Sequence, residues 1–151
     1  QMCIRDSEYS DHFKEKINDN IILISADIES QIATLGDEEQ TEFLSTLGLK
    51  ESGLNKIIKE GYKILDLITY FTSGEQETRA WTIEKSTLAP DAAGKIHTDF
   101  KDGFIRAETI AFVDFISCNG EAKARELGKL KSEGKEYIVQ DGDVMHFLFN
   151  K

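Results

Sequence analysis

The amino-acid sequence predicts an α+β fold, and three observations support this. After Asp66, short segments rich in β-branched and aromatic residues are separated by turn-forming residues, which is typical of strands. Between these segments, and in the chain before Asp66, apolar residues recur at helical spacing. The composition, with 40% apolar and 30% charged residues in a chain of 151, is that of an ordinary globular protein.

The chain before Asp66 is predicted to contain one strand and several helices. The apolar run at residues 21–24 predicts a strand buried on both faces, and residues 8–18 before it predict a surface helix. Residues 37–47 and 52–65 predict two further helices, with Asp37 as the cap of the first. This part is therefore expected to be a partial α/β segment. Residues 1–7 continue no periodicity and are interpreted as a non-native or frayed end.

The chain after Asp66 is predicted to alternate between strands and helices. Strands are expected at residues 67–72, 79–84, 106–112, 137–139 and 144–149, and helices at 90–103 and 121–130. A turn at residues 140–143, with the sequence Gln-Asp-Gly-Asp, is expected to join the last two strands. The order strand, strand, helix, strand, helix, strand, strand fits a mixed sheet with a helix packed across it, as in ubiquitin-like β-grasp domains.

Charge and composition exclude several classes of function. A net charge of −10 argues against wrapping of nucleic acid by the whole surface. There is no apolar run near the roughly 20 residues that a membrane helix needs, so no membrane partner is expected. Cys3 and Cys118 are too few for a disulfide scaffold or a cysteine-based zinc site, which favours a cytoplasmic location. Three scattered histidines predict no metal site either.

Basic residues nevertheless concentrate in two stretches of this acidic chain. One contains Lys95, His97, Lys101 and Arg106, and the other contains Lys123, Arg125, Lys129 and Lys131. Two interpretations are open for them. They form ion pairs on solvated surfaces, which contribute little to stability, or they contact the phosphate backbone of RNA.

The sequence contains no Gly-x-x-x-x-Gly-Lys-Ser/Thr, the loop that holds nucleotide phosphates through its amides, its lysine and a magnesium-binding hydroxyl. No residue is therefore predicted to be catalytic. We expect the chain alone neither to bind ATP tightly nor to hydrolyse it.

Several motifs occur together in a distinctive order. They are RAWTI at residues 79–83, AAGKIHTDF at 92–100, GFIRAE at 103–108 and YIVQDGDVMHF at 137–147. With them, the chain after residue 8 resembles the carboxy-terminal part of YchF-type ATPases, a branch of the Obg-related P-loop proteins. The resemblance implies that residues 66–151 form a TGS domain, a β-grasp module. It also implies that residues 8–65 are the end of the nucleotide-binding domain, whose phosphate-binding half is expected to be missing.

The family resemblance also implies function. Members are ribosome-binding ATPases associated with translation or redox control, and they use ATP and Mg²⁺, whereas their relatives prefer GTP. No cofactor is expected for this chain alone, because ATP would bind only with the missing half. The suspected partner is the ribosome, through its large subunit or its RNA.

Ser25, Ala26 and Asp27 resemble the family's last nucleotide-binding loop, where the backbone after a buried strand approaches the base. A small residue such as Ala26 lets the main chain come close to a flat ring. Asp27 departs from the residues usual at that point, and a simple strand-end turn is the alternative.

Three hypotheses follow. The terminal domain docks the parent ATPase on the ribosome, the chain completes the ATP site of the parent enzyme as a lid, or the domain is a ubiquitin-like protein–protein adaptor.

Overall fold

The computed structural model describes residues 22, 24–74 and 77–150. It divides the chain into two compact units, Gln1–Gly61 and Tyr62–Lys151. The elements follow in the order α1 (Ala26–Ile32), α2 (Asp37–Thr46), α3 (Gly53–Ile64), β1 (Leu67–Ser73), β2 (Thr78–Glu84), α4 (Ala89–Ile96), α5 (Thr98–Asp102), β3 (Phe104–Ala111), α6 (Phe112–Ser117), α7 (Glu121–Glu126), β4 (Lys131–Glu133) and β5 (Asp143–Phe149).

The first unit is helical in its described part, and its helix ends follow from local capping. Helix α2 begins at Asp37, but its N-cap is Gly36 and not Asp37 as predicted. The Glu39 carboxylate accepts a hydrogen bond from Gly36 N at 3.1 Å. Gly48, with φ of 68°, follows its carboxyl end. The predicted helix at 8–18 and two residues of the predicted strand at 21–24 lie outside the described residues. At Ile22 and Ile24, which are described, no strand is formed.

The second unit is built on one five-stranded sheet in the order β2-β1-β5-β3-β4. Strand β1 pairs antiparallel with β2 over seven residues and parallel with β5. Strand β3 pairs antiparallel with both β4 and β5. The first and last strands are therefore neighbours at the centre, and the short strand β4 lies at one edge.

Alternation along the strands defines two faces of this sheet. On the first face, Tyr70, Ala107 and Phe147 pack with the alanines of α4 in the main core, and Phe100 of α5 joins them. On the second face, Ile110 packs with Cys118 and with α7 in a smaller cluster. Helices α4 and α5 thus cover the first face, and α6 and α7 cover part of the second.

One predicted helix is divided in two. Residues 90–103 were expected to form a single helix, but His97 adopts extended backbone angles, φ −161° and ψ 146°. Its Nδ1 accepts a hydrogen bond from Asp99 N at 3.1 Å, so His97 ends α4 and caps α5. Gly103 closes the second helix, as expected.

The last part of the fold differs from the prediction. Residues 137–139 form no strand and make only an isolated bridge between Ile138 and Leu88. The fourth strand is instead Lys131–Glu133, which directly follows the predicted helix at 121–130 and was not predicted. The helix expected at 121–130 stops at Glu126, because Gly128 takes a positive φ of 69°. The short helix α6 was not predicted.

Candidate functional site

The Gln-Asp-Gly-Asp turn holds β5 against β1. The Asp141 carboxylate accepts from Thr69 N at 2.8 Å, and Gly142 N donates to the Thr69 carbonyl at 2.8 Å. The buried Asp143 carboxylate accepts from the Tyr137 hydroxyl at 2.7 Å and from Gln140 N at 2.9 Å. Burial, followed by this contact with Asp143, raises the pKa of Tyr137. The turn forms as predicted, and its role is structural.

The expected base loop lies at the start of α1. The Ser25 hydroxyl is the N-cap and accepts from Ile28 N at 3.5 Å. Ala26 and Asp27 form the first helical turn, and all three expected loop residues are exposed. The Asp27 side chain accepts from Gln31 Nε2 at 3.1 Å. The loop is therefore a helix start with an accessible main chain.

The Glu29 carboxylate, in helix α1 just after this loop, links α1 to the start of α3. This contact was not predicted from the sequence. Glu29 accepts hydrogen bonds from Gly53 N at 2.7 Å and from Leu54 N at 3.4 Å, which satisfies free amides at the start of α3. A Cβ at Gly53 would lie 2.8 Å from Glu29 Oε1 and 2.9 Å from Ile24 Cγ2. The glycine is needed for this close approach. The sequence around Gly53 does not predict this cap, because Glu29 lies 24 residues earlier in the chain.

The first expected group of basic residues lies on α4 and α5. Lys101 pairs with Asp91 at 2.7 Å, and its hydrogen bond to that carboxylate raises the pKa of the lysine. His97 is occupied as the helix cap described above. Lys95 is exposed and forms no ion pair with any other described residue.

Half of the cations in the second expected group are neutralised by carboxylates. Arg125 contacts Glu108 at 2.8 Å and Glu121 at 2.9 Å, and the Glu121 hydrogen bond, followed by the Glu108 charge, raises its pKa. Arg106 reaches the same Glu108 carboxylate at 3.8 Å.

Farther along the same segment, Lys129 pairs with Asp114 at 3.2 Å. Lys123 and Lys131 are exposed and have no ion pair within the described part of the chain. Two of the four cations in this stretch thus keep an uncompensated charge.

The structure divides the first group. Helices α4 and α5, with Lys95, His97 and Lys101, lie on the first face of the sheet, whereas Arg106 and Glu108 point to the second face, in register with Leu148 and His146 of β5. Arg106 therefore lies with Arg125 of the second group at Glu108, apart from the rest of its own group.

A different cation lies where the sequence did not indicate a site. The Arg79 guanidinium lies 4.2 Å from the centroid of the Trp81 ring. That ring stacks on the buried Tyr70, with centroids 6.5 Å apart and planes within 14°, and its Nε1 donates to Thr72 Oγ1 at 3.0 Å. Trp81 is half-buried and packs against the main core, with Arg79 over it.

The described residues offer neither a metal site nor a membrane-spanning helix. No group of three or more His, Cys, Asp or Glu side chains is arranged to hold a metal ion in the described ranges. None of the described helices combines the length and apolar character that crossing a bilayer requires.

The sheet and its helices define a mixed α/β domain that presents charged surfaces. Its family model is YchF-GTPase_C, whose description is "Protein of unknown function (DUF933)", and it matches residues 67–150. The chain is 55% identical over 148 residues to the "Ribosome-binding ATPase YchF" of Escherichia coli O157:H7, covering 96% of the chain and 41% of that protein. It is 56% identical over 133 residues to the protein of the same name from Bacillus subtilis, covering 88% and 36%.

A solved structure agrees with these relatives. The YchF GTPase of Schizosaccharomyces pombe superimposes with a TM-score of 0.75 and 42% identity, over 86% of this chain and 34% of that one. The chain belongs to the YchF family, and the part that it matches is the family's carboxy-terminal domain. It spans about two fifths of the length of the Escherichia coli relative.

Proposed function

We propose that this chain docks a YchF-type ATPase on the ribosome through its carboxy-terminal domain, and that the chain alone does not hydrolyse ATP. The observation that carries the proposal is 55% identity, over 96% of the chain, to a protein named a ribosome-binding ATPase. The sequence contains no Gly-x-x-x-x-Gly-Lys-Ser/Thr, the loop that holds nucleotide phosphates in ATPases of the P-loop type, and this supports the second part.

The docking domain is proposed to be a β-grasp domain of the TGS type, spanning residues 66–151. The order β2-β1-β5-β3-β4 supports this, because the first and last strands are parallel neighbours at the centre of the sheet. A helix packed across one face, here α4, supports it as well. Such a sheet presents its edges and its partly covered second face to a partner.

Ribosomal RNA is proposed as the docking partner, and the segment between β3 and β4 as one contact surface. Lys123 and Lys131 keep uncompensated charges there, so they can release counterions from RNA phosphates. Arg125 and Lys129 are already paired with carboxylates and are expected to contribute less. Lys95 on α4 is a separate candidate contact.

Sedimentation of the chain with ribosomes across a series of salt concentrations tests this proposal. We expect binding that weakens steeply with salt, and a Lys123→Glu/Lys131→Glu variant that no longer sediments. Both lysines are exposed and lack ion pairs with described residues, so the variant removes no ion pair of the described part of the fold. A Lys50→Glu/Lys85→Glu variant, which changes the net charge equally at two other exposed lysines, is the control and should sediment as the parent chain does.

Two outcomes contradict this form of the proposal. Binding that is insensitive to salt and is retained on ribosomal proteins alone would indicate a protein–protein adaptor. Equal loss of binding in the two variants would show that net charge, rather than this surface, decides the interaction.

A second candidate function is completion of the parent's ATP site. Here residues 8–65 are proposed to be the end of the nucleotide-binding domain, with ATP and Mg²⁺ held mainly by the rest of the parent. The exposure of Ser25, Ala26 and Asp27 supports this role, and Glu29 of the same helix accepts a hydrogen bond from Gly53 N at the start of α3. Titration of the chain with ATP and GTP, with and without the amino-terminal part of a relative, tests it. Tight binding by the chain alone would contradict it.

A further inference from the structure

Arg79, Trp81 and Tyr70 form a layered arrangement on the first face of the sheet, which we name the Arg79 stack. Tyr70 is fully buried, Trp81 is half-buried above it, and Arg79 is exposed over Trp81. Tyr70 and Trp81 are directly opposite each other on β1 and β2, so the register of the sheet sets their stacking. The outermost layer is therefore a flat cation whose orientation is supported from below.

The lower layers of the Arg79 stack are held rigidly. The Tyr70 hydroxyl donates to the Ala92 carbonyl at 2.8 Å, and the Trp81 Nε1 donates to Thr72 Oγ1 at 3.0 Å. Both polar groups of the aromatic pair are thus satisfied within the protein. Tyr70 and Trp81 therefore lose little further side-chain freedom when a ligand binds to Arg79.

The guanidinium of Arg79 forms no ion pair within the part of the chain that the structure describes, including with Glu77 two positions before it on the same face. Its contact with Trp81 uses the flat face of the guanidinium and leaves the donors at its edge available. A planar cation with a free outer face and free donors can stack on a nucleobase and bind the adjoining phosphate.

We propose that the Arg79 stack binds an unpaired base of single-stranded RNA, with the base on the outer face of the guanidinium. This rests on the proposed docking to the ribosome and names a contact for it. A carboxylate of a protein partner would pair with the N–H donors at the edge of the guanidinium, whereas a base stacks on its outer face. Direct binding of RNA to the chain therefore decides between RNA and protein, and the difference between arginine and lysine decides whether the planar group or only the charge is needed.

The only tryptophan of the chain makes the test direct. Trp81 fluorescence is followed during titration with single-stranded RNA of about eight nucleotides, at several salt concentrations. We expect a saturable change for the parent chain and about tenfold weaker binding for Arg79→Ala. Arg79→Lys, which keeps the charge but not the plane, should bind nearly as weakly. Lys85→Ala, at an exposed lysine just after β2, is the control and should bind as the parent chain does.

Each other result overturns the proposal. If Arg79→Lys binds like the parent chain, only charge is involved. If RNA produces no change in fluorescence and no binding by anisotropy of a labelled RNA, the stack is not an RNA site. Unfolding curves for every variant show whether a loss reflects the fold, since Arg79 is exposed and both substitutions should leave stability nearly unchanged. Ribosome sedimentation of Arg79→Ala separates the two proposals, because docking can persist through Lys123 and Lys131 when this contact fails.

Discussion

Replacement of Gly103 by alanine should destabilise the second unit strongly. Gly103 lies between α5 and β3, donates to the Asp99 carbonyl at 3.0 Å and accepts from Asn150 N at 2.9 Å. A Cβ added here would overlap the carbonyl oxygen of Asn150 and lie 2.9 Å from its carbonyl carbon. The backbone angles, φ −91° and ψ 8°, are accessible to alanine. The conflict therefore comes from the close approach of two backbone segments.

The expected loss of stability follows from the contacts that must shift to make room for the added Cβ. Shifting the chain after β5 breaks the hydrogen bond between Asn150 and Gly103, which costs about 1 kcal/mol. It also loosens the stacking of Phe100 on Phe149, whose centroids are 4.0 Å apart, at a cost of about 1 kcal/mol. Residual overpacking adds about 1 kcal/mol or more. We expect the free energy of unfolding to fall by about 3 kcal/mol.

Urea unfolding followed by Trp81 fluorescence and circular dichroism measures this loss. Gly134→Ala is the matched control, since an added Cβ there meets nothing within 4 Å, and its stability should change by less than about 0.5 kcal/mol. If Gly103→Ala unfolds at the same urea concentration as the control, the close approach of the two backbones does not constrain this position.

Three further outcomes are expected. Removal of the Glu29 carboxylate in Glu29→Ala should lower the stability of the α3 start by about 1 kcal/mol, seen as faster amide exchange at Gly53, whereas unchanged exchange would exclude the capping role. Asp143→Ala should cost about 2–3 kcal/mol in urea unfolding, because it leaves the Tyr137 hydroxyl and a backbone amide unpaired; a loss no larger than that of Tyr137→Phe would contradict this. Burial raises the pKa of Tyr70 above its ordinary value of about 10, so the folded state keeps a proton that the unfolded chain loses. Stability should therefore be intact below about pH 10 and fall by about 1.4 kcal/mol per pH unit above it, in urea titrations between about pH 9 and 11. Tyr70→Phe should reduce that slope.

Local sequence patterns were sufficient for most of the regular elements. The alternating segments placed β1, β2, β3 and β5 to within about two residues, because a strand that packs on one face must repeat every two positions. Gly48 and Gly103 marked helix ends correctly, since the backbone there requires glycine or a close approach. The motifs also pointed to the YchF family, which the comparisons confirm.

The elements that were missed depend on partners far away in the chain. Strand β4 is three residues long and has no alternating apolar pattern. It forms because its backbone pairs with the edge of β3. Residues 137–139 have strand-like side chains but find no strand to pair with beyond the bridge to Leu88. Pairing of this kind is a property of the assembled sheet.

The candidate site also has some features that the sequence determined and others that depend on the tertiary structure. The sequence by itself determined which side chains are basic, which aromatic residues are available, and that the phosphate-binding motif does not occur in this chain. Only the tertiary structure decided that Glu108 neutralises Arg125, that Arg106 lies on a different face from Lys95 and Lys101, and that Arg79 covers Trp81. The reason is physical, because the net charge at a residue depends on the neighbours that folding brings close to it. The spacing of residues along the sequence does not show which neighbours these are.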